Sequence, residues 1–167
     1  SDLDNFELLE LIQRTKKPII LSSGLSNLTG IKKSLSFLKK KGVKKNKITL
    51  LHCTTAYPTP NKEINLKVLD SFKKLGVRIG YSDHTEGNEA ALGAVALGAQ
   101  VIEKHFTLNK NMRGPDHKAS ADPKQLKELV KGIRVMELAL GKKQKTITSS
   151  EKKNFYIAKR SIFTKRN

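Results

Sequence analysis

Residues 78–87 read RIGYSDHTEG, a stretch that begins as an apolar run and ends in polar side chains that include His84. The stretch VIEKHFTLN at 101–109 has the same organisation and also carries a histidine, His105. Both runs have the β-branched and aromatic content of short strands. The segment between them, at about 87–97, has the length and spacing of an amphipathic helix. A strand, a helix and a second strand at this spacing predict two parallel strands joined by a right-handed crossover.

The alternation of strand and helix extends along the whole chain. Glycine stands where each of four helices should end, and Asp122 followed by Pro123 is typical of a helix start. Four strand–helix units behind one leading helix predict an α/β fold with a parallel sheet. The predicted strands lie at 18–24, 48–54, 78–84 and 101–107, and the predicted helices at 5–14 and at about 28–41, 61–75, 87–97 and 123–140.

Two architectures fit this order of elements, a doubly wound open sheet and part of an eight-stranded barrel. No glycine-rich phosphate-binding turn follows any predicted strand, which counts against the nucleotide-binding open sheets. Polar residues instead follow all four strands, at the carboxyl edge where both architectures build their sites. Because the strand ends of a barrel converge on one axis, this pattern favours the barrel. The polar residues concerned are Ser22, Ser23, His52, Thr54, Ser82, His84, Glu103 and His105.

Alternate residues of a strand share a face, so Ser82 should lie on the side of His84, and Glu103 on the side of His105. Both pairs should point into the barrel from neighbouring strands. Two imidazoles on adjacent strand ends can approach one divalent metal of the first transition row. The pattern fits equally well two histidines that are hydrogen-bonded within the core, so the spacing leaves the metal open.

The composition limits the classes of function. The longest apolar run, at 90–102, is shorter than the roughly 20 residues of a membrane span. No signal peptide is recognisable at the start, and the one cysteine, Cys53, fits a cytoplasmic protein. The net charge of +18 permits nucleic acid, an anionic membrane surface or an anionic small substrate as a partner. Because no nucleic-acid signature accompanies the basic run at 32–47, we expect solvated lysine-rich helix faces and neither a nucleic-acid nor a membrane partner.

Four motifs resemble one known family in their order and spacing: HCTTAYPTP at 52–60, GYSDHTEG at 80–87, EKHFTLN at 103–109 and RGPDHKASADP at 113–123. They are similar to motifs of the sialic-acid synthases, which include the N-acetylneuraminate, legionaminate and pseudaminate synthases. The resemblance implies a TIM barrel followed by a small antifreeze-like (SAF) domain. It also implies condensation of phosphoenolpyruvate with an N-acetylated hexose, such as N-acetylmannosamine, to a nine-carbon 2-keto acid and phosphate. The implied cofactor is a divalent metal, Mn²⁺ in the first place, with Mg²⁺ or Co²⁺ as alternatives.

The resemblance also implies a role for individual residues. His84 and His105 match the two histidines that bind the metal, which would polarise the aldehyde oxygen of the open-chain sugar. Glu103 is expected to act in catalysis through hydrogen bonding or proton transfer. Hydroxyl donors suit the phosphate and carboxylate of phosphoenolpyruvate. The implied substrate-binding positions are Ser22, Thr55 and Ser82 for phosphoenolpyruvate, and Tyr57 and Asp116 for the sugar.

Four further residues near these positions are assigned no role in the chemistry. We expect His52 to face inward near the site without binding the metal, and His117 to be exposed on its loop. Cys53 is interpreted as buried packing at a strand end, because the implied reaction needs no thiolate. Asp83 is interpreted as a strand-end cap whose side chain faces away from the barrel.

The resemblance implies that the chain is part of a barrel. Residues 1–145 correspond to the C-terminal four strand–helix units of the eight-stranded barrel, and residues 146–167 to a basic linker toward a SAF domain. A half barrel exposes two sheet edges, so we expect a homodimer or association with an N-terminal half, and little activity from this chain alone. Two alternatives stay open: another phosphoenolpyruvate–aldose synthase that uses a sugar phosphate, and a truncated, non-catalytic remnant that binds anionic partners.

Overall fold

Four parallel strands form a sheet in the order β1-β2-β3-β4, so each strand pairs with the next one along the chain. This computed structural model describes residues 2–114, 116–158 and 165. A helix lies between each pair of neighbouring strands, as parallel pairing requires, and the predicted α/β fold is confirmed. The strands are β1 (Ile19–Ser22), β2 (Ile48–Cys53), β3 (Arg78–Asp83) and β4 (Val101–Lys104), and the helices are α1 (Phe6–Arg14), α2 (Leu28–Lys40), α3 (Val68–Lys73), α4 (Glu89–Ala96), α5 (Pro123–Leu140), α6 (Ser149–Lys152) and α7 (Phe155–Ala158).

The helices begin and end where proline, aspartate and glycine predict. Pro123 opens α5, and the Asp122 side chain accepts a hydrogen bond from the backbone N–H of Gln125 at 2.8 Å. The Gln125 side chain accepts in turn from the Asp122 N–H, which completes a capping box. The predicted stops after α2, α3, α4 and α5 are confirmed, each with a positive φ: Gly42, Gly76, Gly98 and Gly141.

The predicted helix at 61–75 is wrong in its first half. A short 3₁₀ turn covers Asn61–Glu63, and α3 begins only at Val68. Between them, Asn65 has a left-handed backbone with φ of 51°, which an α-helix cannot contain. The Asn65 amide donates to the Glu63 carbonyl at 3.1 Å, a local bond that competes with helix formation. The loop after β2 is therefore longer than the sequence pattern predicts.

The main core lies between the sheet and the helices. The strand residues that point toward the helices are buried, and Leu50 and Tyr81 are 0% and 2% exposed. On the opposite face, Ile20 is 57% exposed. On that face Leu51 lies across Gly80, where an added Cβ would collide with the leucine side chain. This second face, which a closed barrel would turn inward, is called the inner face below. The core cluster includes Leu9, Leu38, Ile48, Leu50, Leu69, Phe72, Ile79, Tyr81 and Ala94.

The stretch at 146–167, predicted as a basic linker, contains the short helices α6 and α7. The Thr148 hydroxyl accepts a bond from the backbone N–H of Glu151 at 3.2 Å and caps α6. Residues 159–164, 166 and 167 lie outside the described residues, so the linker stays a prediction. Within the part of the chain that the structure describes, no helix is long and apolar enough to cross a membrane.

Candidate active site

Three aromatic rings meet at the carboxyl ends of β3 and β4. The ring centroids of His84 and His105 lie 5.3 Å apart, with the ring planes inclined at 73°. Tyr57, from the loop after β2, lies 4.2 Å from His84 and 5.4 Å from His105, measured between ring centroids. The Tyr57 side chain is half exposed, so a ligand can reach it from solvent. Tyr57, His84 and His105 are called the ring cluster below.

Hydrogen bonding determines which nitrogen of His84 is available to a ligand. The Nδ1 atom lies 2.8 Å from the backbone carbonyl oxygen of Thr54. A carbonyl oxygen can only accept, so Nδ1 carries the proton of the neutral ring. The Nε2 atom then keeps its lone pair and lies 3.5 Å from the Ser82 hydroxyl oxygen. A backbone carbonyl that holds one imidazole nitrogen in this way orients the other nitrogen toward a metal.

The thiol of Cys53 lies against this histidine. Its Sγ atom is 4.0 Å from His84 Nδ1. Burial lowers the pKa of His84, but the contact with Cys53 and the bond to the Thr54 carbonyl outweigh burial and raise the pKa above its usual value. Burial raises the pKa of Cys53, whereas contacts with His84, Ser22 and Ser82 have the larger combined effect and lower it. Cys53 therefore belongs to the site and connects the ends of β1 and β3.

Ser82 and Glu103 form a hydrogen-bonded polar pair on the inner face. The two residues are partners in the parallel register of β3 and β4. The Ser82 hydroxyl donates to Glu103 Oε1 at 2.7 Å. Ser82 is buried and Glu103 is exposed, so one carboxylate oxygen is held in place while the side chain remains accessible. The structure thus places Ser82 between Glu103 and His84.

Two loops supply the remaining residues of interest. After β4, Asp116 Oδ2 lies 3.9 Å from His105 Nδ1, and the aspartate side chain is 55% exposed. The backbone carbonyl of Asp116 accepts a bond from the Ser120 hydroxyl at 2.7 Å, which anchors the loop. After β2, the hydroxyl of Thr55 lies against Gly24, where an added Cβ would collide with it. Asp116 therefore borders the ring cluster, and Thr55 lies at the end of β1.

The sequence of residues 1–145 matches the NeuB family. This chain belongs to the NeuB family. The N,N'-diacetyllegionaminic acid synthase of Campylobacter jejuni is 49% identical over 167 residues, which cover 99% of this chain and 50% of the relative. The human N-acetylneuraminate-9-phosphate synthase is 38% identical over 152 residues, which cover 90% of this chain and 42% of the relative. The family resemblance of the four motifs is confirmed.

A solved structure gives the same result for the fold. The N-acetylneuraminic acid (sialic acid) synthetase of Leptospira borgpetersenii, in complex with citrate, is similar with a TM-score of 0.83 and 35% identity. The match covers 93% of this NeuB-family chain and 54% of the solved one. The chain spans about half the length of the curated relatives it matches. The prediction of four strand–helix units from a sialic-acid synthase barrel is thereby confirmed.

The expected position of His52 in this NeuB-family site is wrong. Its Nε2 atom donates to the Ile64 carbonyl at 2.7 Å, and its ring packs against Phe72 and Tyr81 in the core between sheet and helices. Five of the six residues of β2 are buried, on both faces of the sheet. Because both faces of β2 are buried, polar and apolar residues do not alternate along this strand. The sequence therefore carries no signal for the direction of the β2 side chains.

Two further interpretations need correction, and one is confirmed. Cys53, interpreted as packing, contacts the site residues, because the strand register pairs it with Ser82, an inward-facing position of β3. His117, expected to be exposed, is partly buried with Nδ1 2.8 Å from the Thr107 hydroxyl. Asp83 faces away from the site and accepts a bond from the backbone N–H of Thr85 at 2.9 Å, as a strand-end cap does.

The donor atoms of the ring cluster fit a divalent metal in an open site. His84 keeps an available Nε2, and His105 lies close enough for two imidazoles to share one ion. Among residues 2–114, 116–158 and 165, no group of three His, Cys, Asp or Glu side chains could hold a metal. If an ion binds at the ring cluster, His84 and His105 are the residues that would hold it, through two nitrogen atoms.

Proposed function

We propose that the protein containing this chain condenses phosphoenolpyruvate with an N-acetylated hexose to a nine-carbon 2-keto sugar acid and phosphate. The observation that carries the proposal is the ring cluster beside the Ser82–Glu103 pair, at the strand ends of a NeuB-family chain. Two relatives are named as synthases of diacetyllegionaminic acid and of N-acetylneuraminate 9-phosphate. A few convergent polar groups beside an aromatic ring suit a sugar ligand.

The proposed reaction begins when C3 of phosphoenolpyruvate attacks the aldehyde carbon of the open-chain sugar, and the aldehyde oxygen takes up a proton. Water then adds to C2 and loses one proton to a base, and the remaining proton of the new C2 hydroxyl leaves with the departing phosphate as the C2 ketone forms. Glu103 is the proposed acceptor of the proton from this water. Ser82 holds one of its carboxylate oxygens, and the exposed side chain can reach a substrate from the open side.

The proposed metal is Mn²⁺, with Mg²⁺ or Co²⁺ as alternatives, and its proposed ligands are His84 Nε2 and His105. When bound, such an ion supplies Lewis-acid polarisation of the aldehyde oxygen. The chain's own contribution is the orientation of the two rings. The Thr54 carbonyl holds His84 through Nδ1, and the Tyr57 ring packs against both imidazoles.

The proposed substrate positions divide between the two ends of the site. Ser22 and Ser82 both contact Cys53, so two hydroxyls line the same part of the inner face and can donate to the phosphate or carboxylate of phosphoenolpyruvate. Thr55 is proposed for the same ligand because it lies at the end of β1, beside Gly24. The sugar is assigned to the exposed ring of Tyr57 and the exposed carboxylate of Asp116.

The remainder of the site is proposed to come from an N-terminal half of the barrel, in a cytoplasmic homodimer. β1 and β4 are the edge strands of the described sheet, and Ile20 on the inner face is 57% exposed. Unpaired edges and uncovered apolar side chains favour pairing with further strands. The length of the relatives, of which this chain spans about half, supports the same proposal. Residues 146–167 are proposed as the linker toward a SAF domain.

The test is phosphate release by the full-length protein with phosphoenolpyruvate, Mn²⁺ and one of three acceptors. These are a 2,4-diacetamido trideoxyhexose, N-acetylmannosamine and arabinose 5-phosphate. We expect release with an N-acetylated hexose, and the 49% identity to a diacetyllegionaminic acid synthase favours the diacetylated one. Release with arabinose 5-phosphate alone would replace the proposal with a sugar-phosphate synthase. Release with none of them, together with salt-sensitive DNA binding, would favour a non-catalytic remnant.

A further inference from the structure

A buried ion pair lies directly behind the two histidines. Asp83 and Lys104 immediately precede His84 and His105 in the sequence, and they are partners in the register of β3 and β4. Lys104 Nζ lies 2.8 Å from Asp83 Oδ2, and the two side chains are only 4% and 0% exposed. Because successive strand residues point to opposite faces, the pair lies on the outer face while the histidines lie on the inner face.

The ammonium group of Lys104 also holds the loop that follows His84. It donates to the backbone carbonyl of Thr85 at 2.7 Å and to that of Gly87 at 2.9 Å. With Asp83 as the third acceptor, all three ammonium hydrogens are used. A residue of β4 thus fixes the backbone on both sides of Glu86, within the loop that begins at β3.

Asp83 completes this network from the other side. Its Oδ1 atom accepts bonds from the backbone N–H of Thr85 at 2.9 Å and from the Thr85 hydroxyl at 2.8 Å. The backbone of His84 is therefore held between two residues, Asp83 and Thr85, that are both bonded to Lys104. The His84 carbonyl in turn accepts from the Thr59 N–H at 2.9 Å, which ties the loop after β2 to the same place.

Stability alone does not explain such a pair. Taking two charges out of water costs about as much as their attraction returns, and well-packed apolar residues are often equally stable at such positions. What the pair does provide is geometry, because Lys104 can satisfy its three acceptors in only one arrangement of β4 and the loop at 84–87. Two apolar side chains would impose no such restriction on direction.

We infer that Lys104 and Asp83 are positioning residues that set the placement of His84 relative to His105 and thereby the affinity of the pair for a divalent cation. The metal affinity in this inference rests on the proposed function. The placement of His84 relative to His105 does not, and it can be tested without a metal. Both side chains lie on the face opposite the two histidines, and both would act through the backbone of the loop at 84–87. Outer partners of metal ligands typically change metal affinity by about 10- to 100-fold when they are removed.

The experiment uses the full-length protein with the double substitution Asp83→Asn and Lys104→Met. The amide oxygen can still accept from Thr85, and methionine approximates the volume of lysine, so both charges leave together and no charge stays buried alone. A milder variant, Thr85→Val, removes the Thr85 hydroxyl, which lies 2.8 Å from Asp83 Oδ1 and 3.5 Å from the Gly87 carbonyl, and keeps the backbone N–H bond to Asp83. The matched control is Lys73→Met, which breaks the exposed pair with Asp70 on α3. Mn²⁺ titration, urea unfolding and amide hydrogen exchange are measured for each.

We expect the double variant to bind Mn²⁺ about tenfold or more weakly, with faster exchange at 84–87 and a urea midpoint lowered less than that of Asp83→Ala, because two loop carbonyls lose a donor but no charge is left unpaired. Thr85→Val should weaken binding a few-fold, and Lys73→Met should not change it. Unchanged Mn²⁺ affinity in both the double variant and Thr85→Val would overturn the inference. If wild type and His84→Ala bind Mn²⁺ equally, the proposed metal site fails instead. Amide hydrogen exchange then tests the placement of His84 by itself. Unchanged protection at 84–87 in the double variant would refute the role of Lys104 and Asp83 in that placement.

Discussion

The two faces of the sheet carry different kinds of polar group at the same two strand ends. On the inner face, Glu103 and the ring cluster include exposed side chains and an imidazole nitrogen with an available lone pair. On the outer face, Asp83 and Lys104 are almost fully buried, and every charged atom has a partner. Neighbouring residues of one strand thus serve opposite purposes. Strand alternation therefore separates the groups available for chemistry from the groups that fix the fold.

The largest effect is expected on the outer face, from Asp83→Ala. The substitution leaves the Lys104 ammonium buried without its carboxylate, which should lower the free energy of unfolding by about 3–5 kcal/mol. Urea unfolding of the full-length protein measures the change. The matched control is Asp70→Ala, which breaks an exposed ion pair with Lys73 and should leave the midpoint unchanged. Equal effects of the two substitutions would contradict the distinction between buried and exposed pairs.

The inner face should respond in activity rather than in stability. His84→Ala removes a proposed metal ligand, so phosphate release should fall about a hundredfold or more, roughly 3 kcal/mol in the barrier. The urea midpoint should fall less than it does for Asp83→Ala, because His84→Ala leaves no buried charge unpaired and removes one short hydrogen bond, that to the Thr54 carbonyl. A variant that unfolds at much lower urea but keeps its specific activity would reverse the roles assigned to the two faces.

A smaller loss of activity is expected from Ser82→Ala. The hydroxyl donates to Glu103 Oε1 at 2.7 Å, and its removal frees the carboxylate to turn away from the reacting water. A hydrogen bond to a charged group is worth about 1.5–3 kcal/mol, so kcat should fall roughly tenfold. Ser36→Ala, on the exposed surface of α2, is the control and should have no effect. A wild-type kcat for Ser82→Ala would remove Ser82 from the set of positioning contacts.

The smallest expected effect concerns pH and the core histidine on the outer face. Burial lowers the pKa of His52, and the bond to the Ile64 carbonyl opposes burial only in part. Because the folded-state pKa lies below the unfolded value of about 6.5, the unfolded state binds the proton more readily, and stability is lost as pH falls below 6.5. Urea midpoints between pH 7.5 and 5 should therefore fall more steeply for wild type than for His52→Gln. Parallel slopes would show that His52 does not titrate on unfolding.

The sequence predicts structure well where the signal is local. Helix α5 spans the predicted range because its proline and its capping box lie within one turn of its start. The glycines that predict the ends of α2, α3, α4 and α5 are also local signals, because each lies within a few residues of the helix end. The prediction at 61–75 fails because apolar spacing continues through Asn65, whose left-handed backbone ends the helical pattern. The spacing of apolar residues carries no information on the backbone angle of one residue, such as the positive φ of Asn65.

Local patterns along the chain were enough to predict the order of strands and helices, the parallel sheet and the motif residues that identify the family. The tertiary structure decided that Cys53 rather than His52 faces the site, and that His84 offers Nε2 because a carbonyl from another strand end holds Nδ1. It also decided that Lys104 on β4 bonds the loop of β3. This division arises because periodicity is set by neighbours along the chain. The direction of a buried strand's side chains and the contacts between strand ends depend on packing between distant segments.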